Sequence, residues 1–436
     1  MNRLVQDLRF GLRLLVKDAG FSVVAALTLA VGIGANTAIS SVVYGVLVKP
    51  LPYREPDRLM RIFEHHPRSP KFPISPANFL DYRRESQSFD AMALFARGDL
   101  QIGGGARPEH LAGMQVTSGF FSLLGWQPAL GRDFLPEEEL AGKHRVVILS
   151  NSFWQRQFGS DPDIIGKQVE LSSEAYTIVG VLAPEFKHVG GDYRTYGHGD
   201  NVDVWSPLVM GPEEQPRFQH YLNGIGRLAP GVSPERAAEE MTAIISRLAE
   251  KYPSNAEWSI RVVPLRTEIV GTAEPPLLLL VAAVASVLLI VCVNVAGLLL
   301  ARSTARVREI ALRVALGARR GSIIAQLLTE SLVLAFAGGA AGLVLAFWGV
   351  DLLVAISPDK IPRIHTVNLD AGMLAFAAGI TVATWVLFGL APALHASSTH
   401  LADALKEGAR AGLSAGSQRL RRVLVTVELA MAFILL

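Results

Sequence analysis

Residues 275–301 read PPLLLLVAAVASVLLIVCVNVAGLLLA, closed by Glu274 on one side and Arg302 on the other. No residue inside the stretch carries a charge, and it exceeds the roughly 20 apolar residues that a helix needs to cross a bilayer. A buried core helix of a soluble domain is seldom so long. This run decides the fold class, because the rest of the chain is organised around segments like it.

Charge is also absent between Asp18 and Lys49, between Asp370 and Asp403, and across Ser331–Val350 between Glu330 and Asp351. A last apolar stretch opens at Val423 and runs to Leu436. The spacing predicts an α-helical membrane bundle of four complete transmembrane helices, near 21–48, 277–301, 325–356 and 371–394, with the start of a fifth over 423–436. In the first, the apolar part Phe21–Val48 is far longer than the ~7–15 residues of a cleaved signal core, which predicts an uncleaved anchor. The composition agrees. Of 436 residues 50% are hydrophobic and only 18% charged, whereas soluble domains carry about 25% charged residues and disordered chains are poor in apolar ones. The single cysteine, Cys292, excludes an internal disulfide.

The net charge of +2 is a cancellation. Segment 302–322 carries Arg302, Arg306, Arg308, Arg313, Arg319 and Arg320 against Glu309 alone. Segments 1–18 and 395–422 are basic too, whereas residues 49–275 hold 24 Lys and Arg against 29 Asp and Glu. Positive residues flank membrane helices on the cytoplasmic side. The N-terminus, the 302–322 loop and a linker over 396–422 are therefore expected in the cytoplasm of a multi-pass inner-membrane protein, with 49–275 outside. Residues 1–20 place Leu4, Leu8, Leu12 and Leu15 on one helical face, with Arg3, Asp7, Arg13 and Lys17 on another. Such a helix lies either on the lipid surface or against a protein partner.

The external segment reads as a large mixed α/β domain. Ser75-Pro76 opens a helix through about Ser86, and Ser233-Pro234-Glu235 opens another with Ala237, Met241, Ile244, Ile245 and Leu248 on one face. Val146–Leu149 is a short buried strand, followed by a helix from about Ser152 to Phe158. Residues 169–181 form a hairpin around Ser172-Ser173-Glu174. Gly103-Gly104-Gly105 marks a hairpin loop, and segment 188–200 a glycine-rich loop.

Catalytic chemistry is not legible. The chain has no phosphate-cradling G-x-x-x-x-G-K-[ST], no zinc-binding H-E-x-x-H and no G-x-S-x-G. Glu64-His65-His66 places neighbours on opposite sides and reads as a surface or internally satisfied pair. His188, Asp192, His198 and Asp200 lack a recognisable ligand spacing. No enzyme activity, metal, cofactor or nucleic-acid partner is expected. Glu330, Asp351 and Glu428 lie in or beside apolar runs, either as an ion relay or, the reading favoured here, at helix ends. Asn36 and Asn294 are expected to hydrogen-bond between helices, and Gly338 and Gly342 to form a close helix-packing surface.

The segment from Arg302 to Ser322 is the most specific. Val307, Ile310, Ala311 and Val314 share one face of a short basic helix that Gly317 ends, an element that a soluble partner could grip. Its run Arg306-Val-Arg308-Glu309-Ile310-Ala-Leu-Arg313-Val314-Ala-Leu-Gly317-Ala-Arg319 resembles the signature of MacB/FtsX-type permeases, the membrane subunits of a class of ABC transporters. Phe120–Gly125, Gly131-Arg132, Val147–Trp154, Phe158-Gly159, Asp161-Pro162, Ile165–Lys167 and Tyr176–Val181 resemble the family's external domain, in its order. Gly226-Arg227-Leu228, Pro230–Ser233 and the opening through Gly32–Ala38 resemble the duplicated, ATPase-less type called ADOP, of which this chain looks like the N-terminal half, a second beginning at Arg421-Arg422-Val423.

The resemblance implies a MacB-like periplasmic core over 49–275 and an FtsX-like permease domain over 276–395. It also implies a separate ABC ATPase docked on a coupling helix within 302–322, a second permease half, and mechanical coupling of ATP hydrolysis to export or extrusion. Arg306, Arg308, Glu309 and Arg313 would supply contact specificity there, and Val307, Ile310, Val314 and Gly317 the packed face and its end. Two alternatives stay open: a regulatory permease acting on an extracytoplasmic partner, and a membrane-anchored receptor or adhesin.

Overall fold

A computed structural model describes residues 18–102, 109–189, 202–210, 217–271, 273–305, 320–356, 367 and 370–398, with scattered positions between 422 and 433. Its helices are α1 (Ala19–Val43), α2 (Pro76–Glu85), α3 (Phe120–Leu124), α4 (Asn151–Phe158), α5 (Pro234–Lys251), α6 (Leu265–Val270), α7 (Glu274–Ala305), α8 (Arg320–Ile356) and α9 (Ala371–Ser398). The strands are β1 (Leu59–His66), β2 (Ser69–Phe72), β3 (Phe89–Arg97), β4 (Leu100–Ile102), β5 (Glu109–Leu111), β6 (Gly113–Val116) and β7 (Leu130–Gly131). They continue with β8 (Val146–Leu149), β9 (Gln168–Leu171), β10 (Glu174–Val181), β11 (Val204–Pro207), β12 (Asn223–Leu228) and β13 (Ser259–Pro264). The chain divides into two compact units, Met1–Lys49 with Ala273–Leu436, and Pro50–Thr272.

The first unit is built from α1, α7, α8 and α9. Among the described residues three stretches are long and apolar enough to cross a membrane: Ala19–Val48, in which α1 runs on through a π-helical turn, Glu274–Arg302 and Ile324–Ile356. The sequence predicts four complete spans; in α9 the apolar run among the described residues, Ala371–Leu387, is shorter than these. Of the surface helix expected over 1–20, residues 1–17 lie outside the described residues and Ala19 and Gly20 belong to α1; most of 396–436 also lies outside them.

The second unit is one mixed sheet ordered β13-β1-β12-β3-β6-β11-β8-β10-β9-β4-β5, with β2 added to β1 and β7 to β10. The β10–β8 and β11–β6 pairs are parallel and the others antiparallel. The expected hairpin is β9–β10, whose register pairs Leu171 with Glu174 across Ser172 and Ser173. Both serines take the left-handed conformation that a two-residue turn of this hand requires. The expected helices start at Asn151, one residue earlier than read, at Pro76 and at Pro234. The last buries Ala237, Met241, Ile244, Ile245 and Leu248. One expectation changes: Ser75 sits at the N-cap of α2, but its hydroxyl makes no capping bond. The glycine-rich loops at 103–108 and 190–201 lie outside the described residues.

Buried polar side chains tie this unit together. Glu64, in the middle of β1, is fully buried. Its carboxylate accepts hydrogen bonds from Ser75 N (3.2 Å), Asn78 Nδ2 (2.9 Å), Tyr82 Oη (2.7 Å) and His220 Nδ1. Burial and the neighbouring Glu64 charge push the Tyr82 phenol well above its ordinary value. Asn78 exchanges bonds with Asn255 and accepts one from Arg217, whose guanidinium also pairs with Asp81 at 2.7 Å and covers the Tyr252 ring at 3.8 Å. His220 stacks on Trp258, ring centres 4.2 Å apart. The result pins α2, segment 217–222 and the turn at Asn255 to one strand. Of residues 64–66, Glu64 is thus the centre of an internal network, while His65 and His66, the pair read as surface or internally satisfied, are half-buried.

A second tie is Arg227, whose guanidinium donates to Leu123 O at the end of α3 (2.7 and 3.1 Å) and to Arg54 O (2.6 Å). His188 is different. It is buried between the rings of Phe120 and Phe95, and neither ring nitrogen has a hydrogen-bond partner among the described residues. Burial, with the Arg61 charge adding to it, pushes the imidazole down to about 3.

Two predictions follow from these buried groups. Glu64→Leu removes the common acceptor of four buried donors, and should lower stability by about 3–5 kcal/mol, as expected for a buried charge network that loses one partner. Glu64→Gln, which keeps the shape, should cost about 1–3 kcal/mol. Denaturant unfolding of the detergent-solubilised chain, followed by tryptophan fluorescence, measures both. For His188, the unfolded imidazole takes up a proton near pH 6.5 while the folded one refuses it until about 3. Stability is thus highest above pH 6.5 and falls as the pH drops from there toward 3, by up to about 1.4 kcal/mol per unit from this group. His188→Phe should flatten that part of the profile; melting midpoints between pH 7 and 4 check it.

Candidate functional site

The residues expected to grip a cytoplasmic partner, Arg306, Val307, Arg308, Glu309, Ile310, Arg313, Val314 and Gly317, lie outside the described residues. What the structure describes is the frame that holds them. The segment leaves from the end of α7 and re-enters at the start of α8, so two long apolar helices anchor its two ends.

Both helices pack on α1, and small residues permit it. A Cβ on Gly338 would lie 2.6 Å from Leu29 Cβ, and one on Gly342 would lie 3.1 Å from Ala30 O and 3.2 Å from Ile33 Cβ. On the other side, a Cβ on Gly34 would meet Gly342 O at 2.8 Å, and one on Gly32 would meet Val291 of α7 at 3.1 Å. Gly339, next to Gly338 but turned away from it, faces Thr381 of α9 with only 2.7 Å for a methyl group. The spacing of Gly338 and Gly342 was legible because residues four apart share a helix face. Gly34, which meets Gly342, and Gly32, which meets Val291, were visible in the sequence only as part of a motif, with nothing to say which helix they meet.

Polar groups add ties between helices. Asn36 Nδ2 of α1 donates to Val284 O of α7 at 2.6 Å, the interhelical bond expected of it. Asn294 differs: it is exposed on α7, and among the described residues it makes no bond to another helix. Trp385 Nε1 of α9 donates to Leu328 O (3.1 Å) and Ser331 Oγ (3.2 Å) of α8. Glu330 is half-buried and accepts from Gln326 Nε2 at 3.1 Å on its own helix, while Asp351 is exposed. Glu428 lies outside the described residues, as do Asp192, His198 and Asp200. Cys292 is buried in the bundle. No group of three or more His, Cys, Asp or Glu among the described residues could hold a metal ion. What the described residues of this unit offer is close packing and hydrogen bonding between helices, with a basic segment strung between two of them.

Comparison with known proteins places both units. Residues 22–244 match the family model of the MacB-like periplasmic core domain, and residues 281–401 that of the FtsX-like permease C-terminal region. The macrolide export ATP-binding/permease protein MacB of Chromobacterium violaceum is 28% identical over 294 residues, which is 66% of this chain and 42% of that protein. The protein of the same description from Shigella flexneri is 28% identical over 297 residues, with the same shares. The match thus spans less than half the length of these relatives. Among solved structures, the periplasmic region of MacB from Actinobacillus actinomycetemcomitans is similar at 13% identity and TM-score 0.36, over 53% of this chain and 96% of that one. The extracellular domain of a noncanonic ABC-type transporter, YknZ, from Gram-positive bacteria aligns at 14% identity and TM-score 0.34, over 47% and 99%.

The glycine contacts generate a graded prediction. Gly34→Ala forces a methyl group onto a backbone oxygen and should destabilise the bundle by about 1–3 kcal/mol, the usual range for overpacking. Gly297→Ala meets nothing within 4 Å and should be neutral or stabilise by up to about 1 kcal/mol, since alanine is the better helix former. Thermal melts of the two variants in the same detergent should therefore move in opposite directions, or only the first should move.

Proposed function

The chain belongs to the MacB/FtsX-type permease family, with a MacB-like periplasmic core domain and an FtsX-like permease region, and from that premise we propose that it couples ATP hydrolysis by a separate ABC ATPase to motion of its external domain, for export or extrusion. The observation that carries this reading is the placement of a basic, amphipathic segment between two membrane helices of a chain whose other unit is a MacB-like domain.

In this proposal residues 302–322 form the cytoplasmic loop, and Arg306 to Gly317 the coupling helix on which the ATPase docks. Arg308, Glu309 and Arg313 select the partner, Val307, Ile310 and Val314 pack into it, and Gly317 ends the helix. The six arginines against one glutamate in 302–322 support a cytoplasmic position for this loop, on the same side as the N-terminus and the 396–422 linker. Residues 49–275 then stand outside, α9 completes a fourth span, and residues from 423 begin a fifth. Gly338 and Gly342 keep α8 packed on α1 within surrounding lipid. A second permease half, joined as in the ADOP type or supplied by another copy, makes the working pair that an ATPase dimer requires.

Co-expression with candidate ABC ATPases and co-purification in detergent tests the reading. The wild-type chain should retain one ATPase. Arg308→Glu/Arg313→Glu should reduce retention at least tenfold, which corresponds to about 1.4 kcal/mol of lost binding. Failure of every candidate to bind, or binding that survives the double reversal, would sink the assignment.

A further inference from the structure

Asp18 is the last charge before the first apolar run, and Arg302 is the first charge after the second. Nothing in the sequence joins them, yet the structure brings them together. Arg302 Nη2 donates to Asp18 Oδ2, and the guanidinium lies 4.7 Å over the Phe21 ring. The Arg302 side chain is only 14% exposed as a result, against 44% for Asp18. Long basic side chains at a membrane boundary ordinarily reach out to water; this one is turned inward and held on two sides.

The acidic partner is equally telling. Asp18 occupies the N-cap of α1, where an aspartate normally accepts a bond from the helix's own free N–H groups. Its carboxylate makes no such bond. The Asp18 carbonyl oxygen takes both Ser22 N and Ser22 Oγ, each at 3.1 Å, and the carboxylate is turned to Arg302. The pair also suits both helix ends. A negative group at the start of α1 and a positive one in the last turn of α7 each complement the local helix dipole.

A second tie fixes the register. Asn36 and Val284 are joined on the same two helices, and Asp18 to Asn36 spans the same eighteen positions as Val284 to Arg302. On antiparallel helices of equal rise, one register satisfies both bonds. A slip of one turn, about 5.4 Å, would break both. Between them, Gly32 lets Val291 come close enough that the two helices touch.

We propose that the Asp18–Arg302 pair, with the Phe21 ring, is a latch that locks α1 and α7 into one body at the cytoplasmic boundary. Arg302 begins the segment assigned to coupling, and α1 continues along the chain through Lys49 into the external unit at Pro50. A displacement of the coupling segment is then delivered to α1 directly, instead of being absorbed in a flexing end of α7. This use of the latch rests on the coupling reading above; the latch itself does not.

Spin labels in the full chain in nanodiscs test it, with no ATPase present. Cys292→Ser removes the native thiol, and Val24→Cys with Leu298→Cys, both exposed positions, carry the labels. Pulsed electron resonance should give a narrow distance distribution in this background. Asp18→Asn and Arg302→Gln should each broaden it about twofold or more, as a helix end freed of its tie frays. Asp18→Arg/Arg302→Asp should narrow it again by restoring the attraction. An unchanged width in both neutral variants would overturn the proposal, as would a reversed pair that inserts in the nanodisc but stays broad. Should the single variants not fold, the reversed pair against the parent decides. Because the readout needs no ATPase, loss of the coupling reading by co-purification and loss of the latch by spin labelling are separate results.

Discussion

The helical unit depends on how closely two backbones can approach at Gly34 and Gly342, where a single added methyl group would lie 2.8 Å from a carbonyl oxygen. In lipid, burying leucine against leucine gains little, because the tails are as apolar as the side chain. Helices hold together there by close packing and by the few polar groups that find partners. The distribution of burial shows which helix serves as the centre. The most apolar window of the first span is 56% buried within the protein, against 17% and 22% for the next two. That first span carries Gly32, Gly34 and Asn36, and it receives α7 on one side and α8 on another. A bulkier residue at any of the three contacts would separate the hub from a helix that anchors the basic segment 306–319.

The external unit solves the opposite problem. Its core has ample apolar area, and what fixes its arrangement is a small number of buried polar groups with defined geometry. Glu64 gathers four donors from two regions, and Arg227 holds the end of α3 and the backbone at Arg54. Such groups penalise any packing that leaves one of them unpaired, so they define which elements lie next to β1 and β12. His188 sits in the aromatic core as a neutral ring, and its burial, with the Arg61 charge adding to it, makes the folded state sensitive to acid. Both units thus use polarity sparingly, but the membrane unit uses it to set helix register and the external one to set neighbours.

Much of this was legible along the chain. Val146–Leu149, the hairpin at Ser172-Ser173 and the apolar face of α5 each follow from local spacing, and each appears where expected. The misses share one cause. Glu64 stood in the chain only beside a histidine pair, read as exposed or internally satisfied, because its own partners, Asn78, Tyr82 and His220, are brought to it only by folding. A carboxylate flanked by Ile62 and Phe63 in an apolar strand, with Asn78 and Tyr82 four apart on the next helix, was the available signal. Ser75 stood in the right place for a cap, but its backbone N–H, not its hydroxyl, makes the contact that matters. Asn294 and Asn36 looked equivalent by composition, and only their direction on the folded helices separates them.

What the sequence determined by itself was where charge is missing and where it accumulates. Hydrocarbon excludes charge irrespective of which helix lies beside which, so the apolar spans, the basic loop between two of them and the mixed external domain are properties of the chain in one dimension. Which faces meet is not such a property. The contacts Gly34–Gly342, Asn36–Val284 and Asp18–Arg302 join residues far apart in the chain, and each depends on the rotation of one helix about its axis relative to another. No local spacing encodes that rotation. It is set when close packing and the pairing of a few polar groups are satisfied together, and only the tertiary structure decides it.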